Sequence, residues 1–557
     1  MHKTNKIILG IFDGIDSGAT LSKNGTIIGA VQEERFKREK FVESYPELSI
    51  AHLLEENQIK KSAVDVVSIG AWGTPSKEVI VDYFEVFKKN SFSVETISSR
   101  LHNSLLQDQK HRDSIYKEIT KDFTNASLVF YDHHFCHACC AFYPSSFETS
   151  YILTSDGKGD LQSTVIWKAD RKKGIQRVKT FSELLSVGLV YSQITRFLGF
   201  IPHRHEGKVT GLAAYGKKTK LSGTLQLMFK LKNGIFSEKV DGSYKPYLKT
   251  DQEWISKICK SFSKEDIAFA TQDLLEKVIL DIIDFYVPGD ANLSLSGGVF
   301  ANVKLNQKIR EANRHRDMFV FPGMGDGGIS YGSCLASIVT EGFQPPKDLN
   351  HVFIGNEIPD DFEIDSKKFK RKIYDYQKLL DMSTNLIIEG KIIGLVDGKM
   401  EYGPRALGNR SIIASATNNK INKTLNDRLN RTEFMPFAPV TLMSEAKNMY
   451  IDWCNDKNTN FMTTCYSVTN EMQKISPACV HIDGTARPQI IDRENSSSLY
   501  YDILKIYFVK TGIPNLINTS FNNHEEPIVC SMDDALSSLE KDNVDYILTI
   551  NSLIEKI

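Results

Sequence analysis

The chain has no hydrophobic run long enough to span a membrane and no surplus of either charge. Its 557 residues carry 68 Lys and Arg against 69 Asp and Glu, a formal net charge of -1. A protein so balanced lacks the basic footprint that draws nucleic acid or an anionic membrane surface. Paired cysteines are missing as well. The nine present are an odd number without disulfide-framework or zinc-ribbon spacing, which points to reduced thiols and a cytoplasmic protein. The opening stretch, MHKTNKIILGIFDGIDSG, has an apolar core too short for a signal peptide and interrupted by Asp13 and Asp16, so it reads as a strand. These absences leave small-molecule chemistry as the default, in a chain long enough for more than one domain.

What is present centres on YDHHFCHACCAFYPSSF at 131–147. On a helix, His133 and His137, four residues apart, share one face. Two neutral imidazoles make half of a divalent-metal site, which a carboxylate from elsewhere could complete. Cys136, Cys139 and Cys140 adjoin them but have no answering pair, and read as buried small residues.

A repeated pattern surrounds this stretch. Residues 7–12, 19–22 and 26–31 read as strands, the last two joined at Asn24-Gly25, a strong hairpin signal. An acidic glycine turn runs through Asp13-Gly14 and Asp16, and 32–40 carries charge into a helix. After the histidines, a strand at 150–155 enters DGKGD (156–160), with a partner strand at 163–169. Strand, acidic glycine turn and strand, given twice, is what a duplicated ribonuclease-H-like core would leave in sequence. Such turns offer backbone N–H groups to phosphate.

Further along, a helix over 184–200 delivers Glu206-Gly207-Lys208, a carboxylate and an ammonium beside backbone free to approach a ligand. Residues 216–264 read as a polar, basic insertion, and 265–286 as a helix with apolar residues at Ile267, Ala270, Leu274, Leu275, Val278 and Ile282. A strand, then Ser296-Gly297-Gly298, then a helix led by Asn302 would aim a helix N-terminus at whatever the glycines admit. Asp326, in the glycine-rich turn FPGMGDGG, is the candidate third metal ligand. EGFQPPKDLN at 341–350 is the best linker in the chain. Beyond it a strand at 391–397 runs into a loop with Arg405 and Arg410, whose guanidinium groups suit phosphate or carboxylate.

Together with QEERF, HEGKVTGLAAYG, GPRALGNRSIIA, MPFAP, HIDGTARPQ and NTSFN, these motifs make the chain resemble the O-carbamoyltransferases of the nodulation and antibiotic-tailoring type over nearly its whole length. The resemblance implies an α/β protein of two domains. The first, at 1–345, would be a duplicated ribonuclease-H-like domain of the actin-like ATPase, Kae1-type kind, and the second, at 346–557, a YrdC-like α/β domain. Carbamoyl phosphate and ATP would form carbamoyl adenylate in the second, and the carbamoyl group would pass to a hydroxyl of a small-molecule acceptor in the first. A divalent metal, Fe(II), would be held by His133, His137 and Asp326. Catalytic roles would fall to Arg405, Arg487 and Arg431, with Asp16 a candidate base. Contacts to nucleotide or carbamoyl adenylate would fall to Ser296, Gly297, Gly298, Asn302, Glu206, Lys208, Asp156, Ser520 and Asn522. A homodimer would be ordinary for such a protein.

Two positions depart from the family pattern. Where the family has a histidine placed to deprotonate the acceptor, this chain has Ile15, which leaves Asp13, Asp16 and His134 as substitutes. Asn430 stands where a lysine is usual. These departures keep two alternatives open: the same adenylate chemistry with an amine acceptor or another small acyl donor, and a nucleotide-binding homologue without catalysis.

Overall fold

The protein is described here by a computed structural model covering residues 6–89, 94–227, 229–232, 235–237, 253–312, 317–432 and 434–557. It divides into two compact units. The first comprises Met1–Ile28, Ser44–Pro46 and Leu54–Asp348, and the second Gly29–Glu43, Glu47–Leu53 and Leu349–Ile557.

The first unit opens with β1 (Ile7–Phe12), β2 (Gly18–Lys23), β3 (Thr26–Gln32), β4 (Val66–Gly70) and β5 (Ser127–Tyr131), in the spatial order β3-β2-β1-β4-β5. β1 runs antiparallel to β2 and parallel to β4, which is parallel to β5. Asn24 and Gly25 both take positive φ, 52° and 82°, as the tight hairpin between β2 and β3 requires. Helix α1 (Val94–Asp122) precedes β5 and helix α2 (His133–Phe142) follows it.

The second half repeats this plan. β6 (Thr149–Gly159), β7 (Gln162–Asp170), β8 (Gly174–Ser182), β9 (Leu293–Ser296) and β10 (Met318–Val320) lie in the order β10-β9-β6-β7-β8. β6 is antiparallel to β7 and parallel to β9, and β9 is parallel to β10. Each half is therefore a three-stranded meander extended by two parallel strands from its first strand, the duplicated core expected from sequence.

Between β8 and β9 lies helix α3 (Lys264–Tyr286), whose Ile267, Ala270, Leu274, Leu275, Val278 and Ile282 are all buried, as their spacing predicts. The side chain of Ser263 caps it by accepting from Asp266 N. Each such aliphatic side chain contributes about 1.5–3 kcal/mol by leaving water. The segment 216–264 includes a small antiparallel hairpin, Lys230–Lys232 with Ile235–Ser237, and residues 238–252 within it lie outside the described residues. Helix α4 (Val303–Glu311) follows the glycine turn after β9, and α5 (Ile329–Thr340) follows β10.

Helices α2 and α5 each come after the last strand of their half and pack on each other. At their crossing a Cβ on Gly332 would lie 2.2 Å from the carbonyl oxygen of Cys136, so only glycine permits this approach.

The second unit is built on an eight-stranded sheet. Its strands are β11 (Phe369–Ile373), β12 (Ile393–Val396), β13 (Arg410–Ser415), β14 (Ala438–Leu442), β15 (Gln489–Ile491), β16 (Asn515–Ser520), β17 (Tyr546–Leu548) and β18 (Ser552–Lys556). They lie in the order β11-β18-β17-β12-β13-β16-β14-β15. Helices α6 (Tyr376–Ile388) and α7 (Ser498–Thr511) cover one face around Leu379, Ile387, Tyr500, Ile503 and Leu504.

A single cut in the chain would leave 29–43 and 47–53 with the first unit, but their buried polar groups are satisfied in the second. Arg35 donates to Gly403 O at 3.0 Å, and Arg38 to Ile528 O at 2.8 Å and Pro527 O at 2.9 Å. The helix expected over 32–40 is only Glu34–Lys37, ended by Arg38 at φ 56°. Glu33 is drawn inward instead, accepting from Ser49 N and Ser49 Oγ at 2.8 and 2.7 Å. Among the described residues no helix is long and apolar enough to cross a membrane.

Candidate active site

β5 delivers the chain to Asp132, whose side chain caps α2 by accepting from Phe135 N at 2.8 Å. That cap starts the helix at His133, so His133 and His137 lie one turn apart on its buried face, with rings 4.8 Å between centroids. Asp326 comes from the short 3-10 turn before α5, and Asp156 from β6.

Ligand atoms from His133, His137, Asp156 and Asp326 all lie within 4.8 Å of one another. His133 Nε2 is 3.6 Å from Asp326 Oδ1 and 3.8 Å from Asp156 Oδ2. His137 Nε2 is 3.6 Å and 3.2 Å from the same two oxygens. His133 Nε2 and Asp326 Oδ1 are buried and form no hydrogen bond. Such orphaned atoms are costly unless a cation collects them.

The network around His137 supports the same conclusion. Ser296 Oγ donates to Met324 O at 3.2 Å, so it must accept from His137 Nδ1, also at 3.2 Å. That fixes the tautomer with a lone pair on Nε2, aimed at two carboxylates, which suits a metal ligand oriented by its outer neighbour.

Protonation in the cluster follows from crowding. Burial pulls the His133 imidazolium down, but Asp326 and Asp156 outweigh it and hold it above its ordinary value. Burial and then the Asp156 charge push the Asp326 carboxyl well above the usual range. Asp156 goes the other way: burial would raise it, but the charge of the neighbouring His133 and His137 imidazoles overcomes that and holds it well below. Without a cation the two carboxylates cannot both ionise freely. A divalent ion would remove that conflict.

The remaining expected residues fall into separate groups. Gly298 N donates to Asp156 Oδ2 at 3.0 Å, and Gly297, at φ 106°, leaves room for Ser155 O, only 2.1 Å from where a Cβ would sit. Ser296, Gly297 and Gly298 thus line the cluster itself. Asn302 caps α4 by accepting from Leu305 N at 3.0 Å and donates to Gln272 Oε1 at 2.8 Å. Glu206 accepts from Ser192 Oγ and His203 N, both at 2.7 Å, and Lys208 is buried on the same short helix. Asp16 is half-buried at φ 68°. His134 is fully buried with Nδ1 on Thr154 Oγ1 at 3.0 Å, and burial, then His133 and His137, keep it neutral, so it cannot meet an acceptor. The three cysteine thiols of α2 are buried and pushed up by it, as expected of packing residues.

In the second unit Arg431 is gripped by Thr519 Oγ1 at 2.7 Å, Ser520 O and Oγ at 3.0 and 3.2 Å, and Asn522 O and Oδ1 at 2.8 and 2.9 Å. Arg431, Ser520 and Asn522 therefore form one group. Lys40 lies in the field of Glu34, Arg431 and Glu525, and burial lowers its pKa. Arg405 and Arg487 are half-buried.

Arg410 is different. It is fully buried and donates to the carbonyls of Asp397, Asn409, Gly398 and Asn356 at 2.8–3.3 Å. Its full burial, with both terminal nitrogens held by backbone carbonyls, leaves no route to the anion-binding role its loop suggested. Glu401 orders the same loop by accepting from Leu407, Asn409 and Arg410 N.

The chain thus combines a duplicated α/β core carrying a histidine–carboxylate cluster with a second unit in which Arg431 is held by Thr519, Ser520 and Asn522. Family profiles described as Carbamoyltransferase N-terminus and Carbamoyltransferase C-terminus match residues 7–335 and 384–556, and the chain belongs to the carbamoyltransferase family. It is 32% identical to MJ1051 of Methanocaldococcus jannaschii, a protein described as uncharacterized, over 99% of this chain and 100% of that one. It is 30% identical to the nodulation protein NolNO of Sinorhizobium fredii, over 97% of this chain and 79% of that one.

Proposed function

We propose that this carbamoyltransferase works through carbamoyl adenylate and depends on a divalent metal. In the second unit, carbamoyl phosphate would be hydrolysed to carbamate and inorganic phosphate, and a carbamate oxygen would attack the α-phosphorus of ATP to give carbamoyl adenylate with pyrophosphate leaving, while Arg431, Arg405 and Arg487 stabilise the charge that gathers at phosphorus. Ser520 and Asn522 hold Arg431 in place for that task. In the first unit, the carbamoyl group would pass to a hydroxyl of a small-molecule acceptor.

The observation that carries this reading is the convergence of His133, His137, Asp156 and Asp326 with two orphaned buried atoms. These four would hold the metal, and imidazole with carboxylate suits Fe(II). The ion would neutralise phosphate charge and polarise the carbamoyl oxygen. Ser296 orients His137, and Gly297 and Gly298 let backbone approach the acyl adenylate.

The test is incubation of the purified chain with ATP, carbamoyl phosphate and Fe(II), reading pyrophosphate release and carbamoyl adenylate by mass spectrometry. No release under any metal would defeat the proposal. A second reading, transfer to an amine, is favoured by Ile15, which stands 39% exposed in the β1–β2 turn and can move no proton.

A further inference from the structure

The β1–β2 turn lacks an imidazole of its own, but the fold brings one to it. His111 projects from the middle of α1, and its Nε2 meets Asp13 Oδ2 at 2.5 Å. Asp13 directly follows β1, two residues before Ile15, and is only 5% exposed, while the His111 side chain is 38% exposed. The other oxygen of Asp13 accepts from Trp72 Nε1 at 2.8 Å, and the Trp72 ring lies against the His111 ring, centroids 4.3 Å apart. A buried carboxylate that fixes one nitrogen of an exposed imidazole, with an aromatic plane setting its tilt, is the arrangement of an oriented base.

The pair is also tied to the metal cluster. Asp160 accepts from Trp72 N at 3.1 Å and from His133 N at 2.9 Å, so one carboxylate holds both the residue that packs on His111 and a candidate ligand. Ala71 and Trp72 both sit at positive φ, 74° and 62°. Two consecutive non-glycine residues there are strained. In that conformation Trp72 donates to both Asp13 and Asp160.

Resting on the proposed carbamoyl transfer, we infer that His111 is the proton acceptor for the acceptor hydroxyl, with Asp13 and Trp72 as its positioning residues. The hydroxyl oxygen bonds to the carbamoyl carbon, and its proton passes to His111 Nδ1. The bond from that carbon to the phosphate oxygen breaks, AMP leaves with the electron pair, and Asp13 balances the imidazolium. Asp16 and the fully buried His134 need not serve. Charged groups near His111 include Asp13 from the turn and Asp108 on its own helix, with Lys158 and Glu183 in the field of Asp108.

The test uses the full chain with ATP, carbamoyl phosphate and Fe(II), offering glycerol as a hydroxyl probe and hydroxylamine as a probe that needs no base. His111→Gln is expected to lose about 10²–10⁴-fold in glycerol carbamate formation. Pyrophosphate release and hydroxyurea formation should stay near wild type, and imidazole should restore part of the loss in His111→Gly. Undiminished glycerol transfer by His111→Gln overturns the inference. So do equal losses on both probes without imidazole rescue, and a wild type that carbamoylates hydroxylamine alone. Absence of pyrophosphate release from the wild type would instead defeat the adenylate reading, and this inference with it.

Discussion

In both halves of the first unit, the first strand carries a carboxylate to an imidazole. In the first half Asp13 grips His111, and in the second Asp156 grips His137. The strand orders match, yet the surroundings diverge. His137 has a fully buried side chain and shares its carboxylate with His133, close to a second acid, Asp326. His111 is partly open to solvent, and its carboxylate has only the Trp72 indole as a further partner among the hydrogen bonds described. A closed group of four invites a cation, whereas an open pair can exchange a proton. The same strand order thus surrounds its two carboxylate–imidazole pairs in different ways.

The largest expected effect comes from breaking the closed pair. His137→Ala should abolish stoichiometric metal, read by elemental analysis, and cut transfer on the order of 10³-fold, since an ion's charge stabilisation is worth several kcal/mol. Full metal occupancy in that variant would erase the contrast drawn here. Next, Asp13→Asn should leave metal content unchanged while lowering transfer to glycerol by about 10²-fold, with the pH dependence of the rate altered, because the base loses its orientation and counter-charge. A metal loss there would show that the two pairs are not separable.

A smaller effect is expected outside both pairs. Arg431→Lys keeps the charge but cannot span Thr519, Ser520 and Asn522, so pyrophosphate release should fall by about 10–100-fold, the scale of charge-assisted hydrogen bonds. Metal content should not move. The smallest concerns pH. Burial lowers the pKa of Lys40, so between its folded value and 10.5 the unfolded chain binds more protons and folding stability rises with pH. Lys40→Met should remove that rise in denaturant titrations followed across alkaline pH.

Much of this was readable from local chemistry. The hairpin at Asn24-Gly25, the apolar period of α3 and the strand–turn–strand repeat are short-range signals, and each appeared where expected. The His133–His137 spacing and the acidic glycine turn of Asp326 also announced themselves. Asp156 was legible as an acid at a strand end, but its place beside the imidazoles depends on pairing between β6 and β9, which no window of sequence encodes. His111 sits in a polar helix without a motif, and only the packing of α1 over the β1–β2 turn gives it a partner. Arg410 misled for the opposite reason. An arginine in a glycine-rich loop looks like an anion receptor, and only tertiary structure shows it fully buried with its terminal nitrogens held by carbonyls. The recruitment of 29–43 into the second unit was hidden in the same way, since QEERF reads as a charged helix until its carbonyl partners are seen.

The glycine at the crossing of α2 and α5 has a consequence for selectivity. His133 and His137 ride on one of these helices and Asp326 leads into the other, so their spacing is set by how closely two rods are pressed together. Gly332→Ala would wedge them apart some distance from any ligand, widening the bite of the cage. In the proposed metal site, a single methyl group placed there would change which ion radius fits best, without touching any of the four residues proposed to hold it.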